Sequence, residues 1–283
     1  MYRYSFFLLF ALILGSCTEV ITINTGLSED ITIVEGYIGA DATQSYIKVS
    51  AVVGFYDEIK DNNISTASIV VAKNTDTLAF AWDDNRKLYA PTGSWSTPVA
   101  VGDKFEMLMQ LNGKQYRASD VMTETAACTL RWRQDEDEFN NPETESRYYQ
   151  VRLTIADNKD NDNYYYLKFF ENQKQIIPYG FDVADDKLFD ISAVEIPYRG
   201  TYFNYGDTVS TINYGISRNA YEYFSQANSM LQNDGGLFTP IPANPYSNIE
   251  GGEGEIRGFF RASLSLDDMV VIGDSTRWSP KGK

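Results

Sequence analysis

Val101-Gly102-Asp103-Lys104-Phe105-Glu106-Met107-Leu108-Met109-Gln110-Leu111-Asn112-Gly113-Lys114-Gln115-Tyr116-Arg117-Ala118 is the stretch that decides the fold. Phe105, Met107, Met109 and Leu111 recur at a spacing of two, while Glu106 and Gln110 point the other way. That alternation is a strand with one buried face. Asn112-Gly113 then supplies two residues that accept positive φ, so the chain folds back as a hairpin through Lys114 to Ala118.

Upstream, the same grammar repeats. Ile31 to Ile38 reads as a strand buried on both sides for part of its length, and Ser45 to Phe55 as its partner. Ala67 to Lys73, Thr77 to Trp82 and Lys87 to Ala90 are short strands separated by Asn74-Thr75-Asp76 and Asp83-Asp84-Asn85. Pro91 to Val101 reads as a loop. Short strands at this spacing predict an immunoglobulin-like β-sandwich over residues 31–122.

Downstream, residues 123–273 predict a larger β-rich domain with one packed helix. Tyr149, Val151, Leu153 and Ile155 share one face of a strand, and Tyr164 to Phe170 follows a polar loop. The simplest reading pairs these two as a hairpin. A helix is expected near 218–232, capped by Ser217 or Asn219. Tyr221, Phe224, Asn228 and Leu231 form its expected stripe. Pro240, Pro242 and Pro245 then force an extended pass, and Glu255 to Leu266 returns to strand pattern. The fold class is thus mainly β, with residues 274–283 as a C-terminal tail.

The chain opens with Arg3, an apolar run from Phe6 to Leu14, and Gly15-Ser16-Cys17. Residues 1–16 have the anatomy of a secretory signal, and the run is shorter than the roughly 20 residues that cross a bilayer. Leu14-Gly15-Ser16-Cys17 resembles a bacterial lipobox, which implies cleavage before Cys17 and lipidation of that residue. Residues 17–30 would then be anchor and tether. The alternative is an ordinary secretory signal in which Cys17 is incidental.

Composition narrows the chemistry. Asp and Glu total 39 against 24 Lys and Arg, a formal charge of −15, so no basic surface for nucleic acid is expected. With Cys17 lipidated, Cys128 is left without a disulfide partner and reads as a small buried hydrophobe. There is no histidine, which excludes Ser-His-Asp and Cys-His sites and the usual His-bearing zinc sites.

Asp157 to Asn163 is dense in oxygen ligands, and Asp157, Asp160 and Asp162 could hold Ca²⁺, but the run lacks EF-hand order and also suits a bare solvated turn. No other cofactor is expected. Tyr164, Tyr166, Tyr202 and Tyr205 are the candidate ligand-binding residues, because an exposed tyrosine offers a flat apolar face with a polar tip. Trp82, Trp95 and Trp132 belong to the same class, and strand aromatics also serve as core. Two irregular segments, Tyr198 to Asp207 and Thr239 to Gly252, are the functional loops to expect.

Several short motifs follow one another in a set order. They are Cys17-Thr18-Glu19-Val20, Val34-Glu35-Gly36-Tyr37-Ile38 and Gly113-Lys114-Gln115-Tyr116-Arg117-Ala118. Asp162-Asn163-Tyr164-Tyr165, an Asn-Ile pair within Asn244 to Ile249, and Gly258-Phe259-Phe260-Arg261-Ala262-Ser263 complete the series. In this order they resemble a Bacteroidota lipoprotein family, that of the domain of unknown function DUF4249. The resemblance implies an outer-membrane, surface-exposed lipoprotein, often encoded beside TonB-dependent transporters. It brings no catalytic or binding residues. The expected function is a non-catalytic accessory that captures a nutrient, peptide or glycan for such a transporter. The alternatives are a structural or adhesive scaffold and a carboxylate-based hydrolase.

Overall fold

The computed structural model describes residues 31–52, 61–134, 149–156, 161–176, 180–186, 193–197, 202–232, 244–252 and 256–273. The signal, Cys17 and the tether lie outside them. The first half supplies β1 (Thr32–Ile38), β2 (Tyr46–Ala51), β3 (Ser68–Lys73), β4 (Asp76–Asp83), β5 (Leu88–Pro91), β6 (Lys104–Leu111) and β7 (Lys114–Val121). The second half supplies β8 (Cys128–Gln134), β9 (Tyr149–Ala156), β10 (Tyr164–Glu171), β11 (Lys174–Gln175), β12 (Asp182–Asp185), β13 (Ala193–Pro197) and β14 (Thr208–Gly215). Helix α1 (Arg218–Leu231) follows, then β15 (Ile249–Glu250), β16 (Ile256–Ala262) and β17 (Ser265–Val271).

The hairpin that decides the fold forms as its pattern dictates. β6 and β7 pair from Lys104↔Val121 to Leu111↔Lys114, and Asn112 and Gly113 sit at φ 51° and 76°. Phe105, Met107, Met109 and Leu111 all point into one core.

That core is not the interior of two face-to-face sheets. A single nine-stranded sheet runs β15-β7-β6-β3-β4-β5-β2-β1-β16 and curls until β16 lies against β7 and β15. A near-closed barrel thus replaces the expected immunoglobulin-like sandwich. Two of its strands, β15 and β16, come from far downstream of residue 122, and β16 pairs with β1 in parallel. The expected unit 31–122 is therefore incomplete without them. At the seam, side chains take over where backbone pairing stops. Asn248 donates to the carbonyls of Ser119 (3.1 Å) and Phe260 (2.6 Å) and accepts from the Phe260 N–H (2.9 Å). Asp120 accepts from the Ala262 N–H at 3.0 Å. Elsewhere, the fully buried Lys73 ammonium donates to both oxygens of Thr97 and to the Pro98 carbonyl, fixing the loop after β5.

In the second half, β9 and β10 do not form the expected hairpin. β9 pairs with β8 and β13, whereas β10 pairs with β14, β11 and β12. The reason lies in β10 itself. Tyr165, Leu167 and Phe169 face one core while Tyr164 and Tyr166 face another, so this strand needs cover on both sides. The sheet of β8, β9 and β13 covers one side, with Leu130, Trp132, Val151, Leu153 and Ile155. Helix α1 and the outer face of the barrel cover the other.

Ser217 caps α1 by accepting from the Ala220 N–H at 3.2 Å. The buried stripe is narrower than expected. Ala220 and Phe224 are buried, Asn228 clamps the backbone of Phe181, and Leu231 is exposed.

Asp120 links these parts, since the Ser217 side chain also hydrogen-bonds its carboxylate. Burial pushes this carboxyl up to about 6, against the pull of Ala262, Ser217, Val121 and Arg261. Its folded-state value lies above its unfolded one, so the folded chain binds the extra proton in between. This contribution is present below about pH 4 and is lost as pH rises to about 6, by roughly 2–3 kcal/mol. Asp120→Asn keeps an acceptor and removes the titration. We expect the urea midpoint of the wild type, referenced to that variant, to fall between pH 4 and pH 7; parallel curves would contradict the assignment.

Candidate functional site

The outer face of the founding hairpin floors a groove of about 580 Å³. Outward residues of β6 (Lys104, Glu106, Leu108) and β7 (Arg117, Ser119) form the floor, because their neighbours are committed to the core. One wall is residues 246–250, with Tyr246, Asn248 and Glu250, and the first turn of α1 adds Asn219. The volume lies within the roughly 300–1,000 Å³ typical of ligand sites.

The wall is held in place. The Tyr246 N–H donates to Gln226 Oε1 of α1 at 2.7 Å, and Asn248 is tied to both edges of the barrel seam. Glu250 sits directly opposite Arg117 in the β15–β7 pair. Lys104 Nζ lies 2.6 Å from Glu106 Oε1, which holds that carboxyl below its usual range, with Arg117 adding to the effect. Both ends of that ion pair are exposed, so it orders the floor more than it stabilises the fold. The groove thus presents two cations, two carboxylates, two carboxamides and a tyrosine that is 48% exposed.

The four tyrosines singled out in the sequence do not come together. Tyr164 and Tyr166 are buried beneath α1, where Tyr166 stacks on Phe224 with centroids 4.9 Å apart. They are interior residues rather than the exposed platforms expected. Tyr202 is half-buried. Tyr205 is 72% exposed and leans on Tyr149, at the β9 end of the molecule. Trp132 is buried in the second core, and Trp82 and Trp95 pack against the barrel core.

Of the three candidate Ca²⁺ ligands, Asp157 and Asp160 lie outside the described residues. Asp162 is described, and no group of three or more metal-binding side chains occurs among the described residues. The acidic run Asp135 to Glu138 also lies outside them. Cys128 is half-buried, and burial, with Asp268 and Asp267 nearby, pushes its thiol up to about 11. That is the environment of an unreactive thiol.

Sequence reasoning placed Thr239 to Gly252 among the functional loops, of which residues 244–252 are described, but not the hairpin that Tyr246, Asn248 and Glu250 face. Ser119, Glu106 and Arg117 carry no signal beyond outward register. It also missed Arg261, which is buried at 4% exposure between the barrel and β10. Its guanidinium carbon lies 4.3, 4.7 and 5.3 Å from the ring centroids of Tyr37, Tyr214 and Tyr166. Arg261 Nη1 donates to Ser263 Oγ at 2.9 Å. A cation among aromatics in an otherwise apolar strand face was the available signal.

No curated protein matches the chain. A family model described as a domain of unknown function, DUF4249, matches residues 18–263, from the residue after Cys17 through the motif that ends β16, and the chain belongs to that family.

Proposed function

We propose that this protein is a lipid-anchored, non-catalytic accessory of a TonB-dependent uptake system, which captures a ligand at the outer membrane. The observation that carries the reading is the groove on the outer face of β6 and β7, walled by a tethered segment. Membership of the family supports an outer-membrane or surface-associated role. The lipobox-like Leu14-Gly15-Ser16-Cys17 supplies the anchor, and the surface face is the favoured side.

Two measurements test this. Cys17→Ser should abolish incorporation of labelled palmitate; unchanged labelling would remove Cys17 from the proposal. Pull-down of the tagged lipoprotein from native membranes, followed by mass spectrometry, should recover a TonB-dependent channel, and its absence would count against the accessory role. A structural or adhesive role is the second reading. It is favoured by the exposed apolar side chains Leu266, Met269 and Val271 along β17.

A further inference from the structure

We infer that the groove beside β7 takes a segment of uncharged glycan, an inference that rests on reading this groove as the ligand site. Lys104 and Arg117 balance Glu106 and Glu250, so the groove is locally neutral on a chain whose formal charge is −15. A polyanion is repelled by the surrounding surface, and a polycation finds stronger attraction elsewhere on it than in a balanced groove.

The chemistry of the lining suits sugar hydroxyls. Guanidinium, carboxylate and carboxamide groups are planar and offer paired donors or acceptors, which suit adjacent hydroxyls on a sugar ring. Tyr246 adds a flat apolar face with a polar tip, the surface on which the C–H face of a pyranose packs. Its backbone is held by Gln226 before any ligand arrives, so little ordering is needed on binding.

Strand pairing at this edge favours a glycan over a peptide. Extended peptides are commonly captured by main-chain pairing along an unpaired strand edge. Here β7 already pairs with β15 at Ala118 and Arg117, and Asn248 and Asp120 occupy the seam beyond. Side-chain recognition is what the groove offers, and that is how a glycan is read.

The test is calorimetric titration of the whole mature protein with neutral glucan, mannan and xylan hexamers, with hexagalacturonate, and with a panel of hexapeptides. At least one neutral hexamer should bind. Tyr246→Ala should weaken it about tenfold and Tyr246→Phe by less than about twofold. Binding confined to hexagalacturonate or to peptides, binding indifferent to Tyr246→Ala, or no binding to any neutral hexamer overturns the inference. The channel pull-down reads the accessory role separately. A recovered channel without glycan binding sinks only the glycan, whereas failure of both sinks the parent reading.

Discussion

Gly258→Ala is expected to cost this fold several kcal/mol of stability. Gly258 sits in β16 opposite Val34 of β1, at φ +118°, a conformation that residues with a Cβ rarely adopt. A Cβ there would lie 1.9 Å from the Val34 carbonyl oxygen and 2.8 Å from Val34 C and N. All three are backbone atoms of the paired strand, so no side-chain rotation relieves the contact. The conformational strain costs about 1–3 kcal/mol, and separating β1 from β16 adds the loss of packing on both faces. With about 1–3 kcal/mol for the forced shift, the sum is about 2–6 kcal/mol, against a typical total of about 5–15 kcal/mol.

Gly36→Ala is the graded comparison. Its Cβ would meet Phe260 Cδ2 at 2.5 Å, the edge of a side-chain ring that can turn, so the loss should be smaller. Arg257→Ala, at an exposed position of the same strand, should stay within about 0.5 kcal/mol. Urea unfolding of residues 18–283 reads all three. A Gly258→Ala protein that unfolds within about 1 kcal/mol of wild type would show that the β1–β16 pair is not what closes the barrel.

What was legible in the sequence was local. Alternation from Phe105 to Leu111 and the Asn112-Gly113 turn specify the register of β6 with the first residues of β7, because hairpin register depends only on neighbours, whereas the extension of β7 to Val121 was not marked. The helix was legible for the same reason, with Ser217 as one of two cap candidates. Closure of the barrel was not. It depends on a parallel pairing of β1 with β16, and nothing in either strand names the other. Tyr164 and Tyr166 show the same gap. A run of tyrosines says that both faces of a strand carry aromatics, but only the placement of α1 and the barrel decides that these two are covered. The candidate groove was half legible. The segment that supplies Tyr246, Asn248 and Glu250 was marked as a functional loop, whereas the floor is made of ordinary outward residues that matter only through where residues 246–250 land.

Arg261→Ala should unfold at a lower urea concentration, losing about 3–4 kcal/mol. The side chain joins the barrel to the second half, with Tyr37 on β1, Tyr214 on β14 and Tyr166 on β10 all within 5.3 Å of the guanidinium carbon. Tyr166 and Tyr214 are stacked at 5.7 Å, and Tyr166 in turn stacks on Phe224 of α1. Truncation therefore removes a desolvated cation from three ring faces and opens a cavity where three elements meet. Arg261→Met separates the two causes. It refills the volume and leaves only the cation–ring and Ser263 terms, so it should lose about 1–2 kcal/mol. Arg261→Lys keeps the charge without the planar fork and should fall between them. A purely structural filler would make methionine as good as arginine, and a second readout decides the point. Lys168 lies 5.6 Å from the Tyr166 centroid and is held below the usual lysine range by burial first and by Arg261 second. Removing the guanidinium takes away the second cause, so Lys168 should titrate higher in Arg261→Met while burial still keeps it below an exposed lysine. An unchanged Lys168 titration by NMR would mean that the charge of Arg261 is not felt across this junction, and that the tyrosines are held by shape alone.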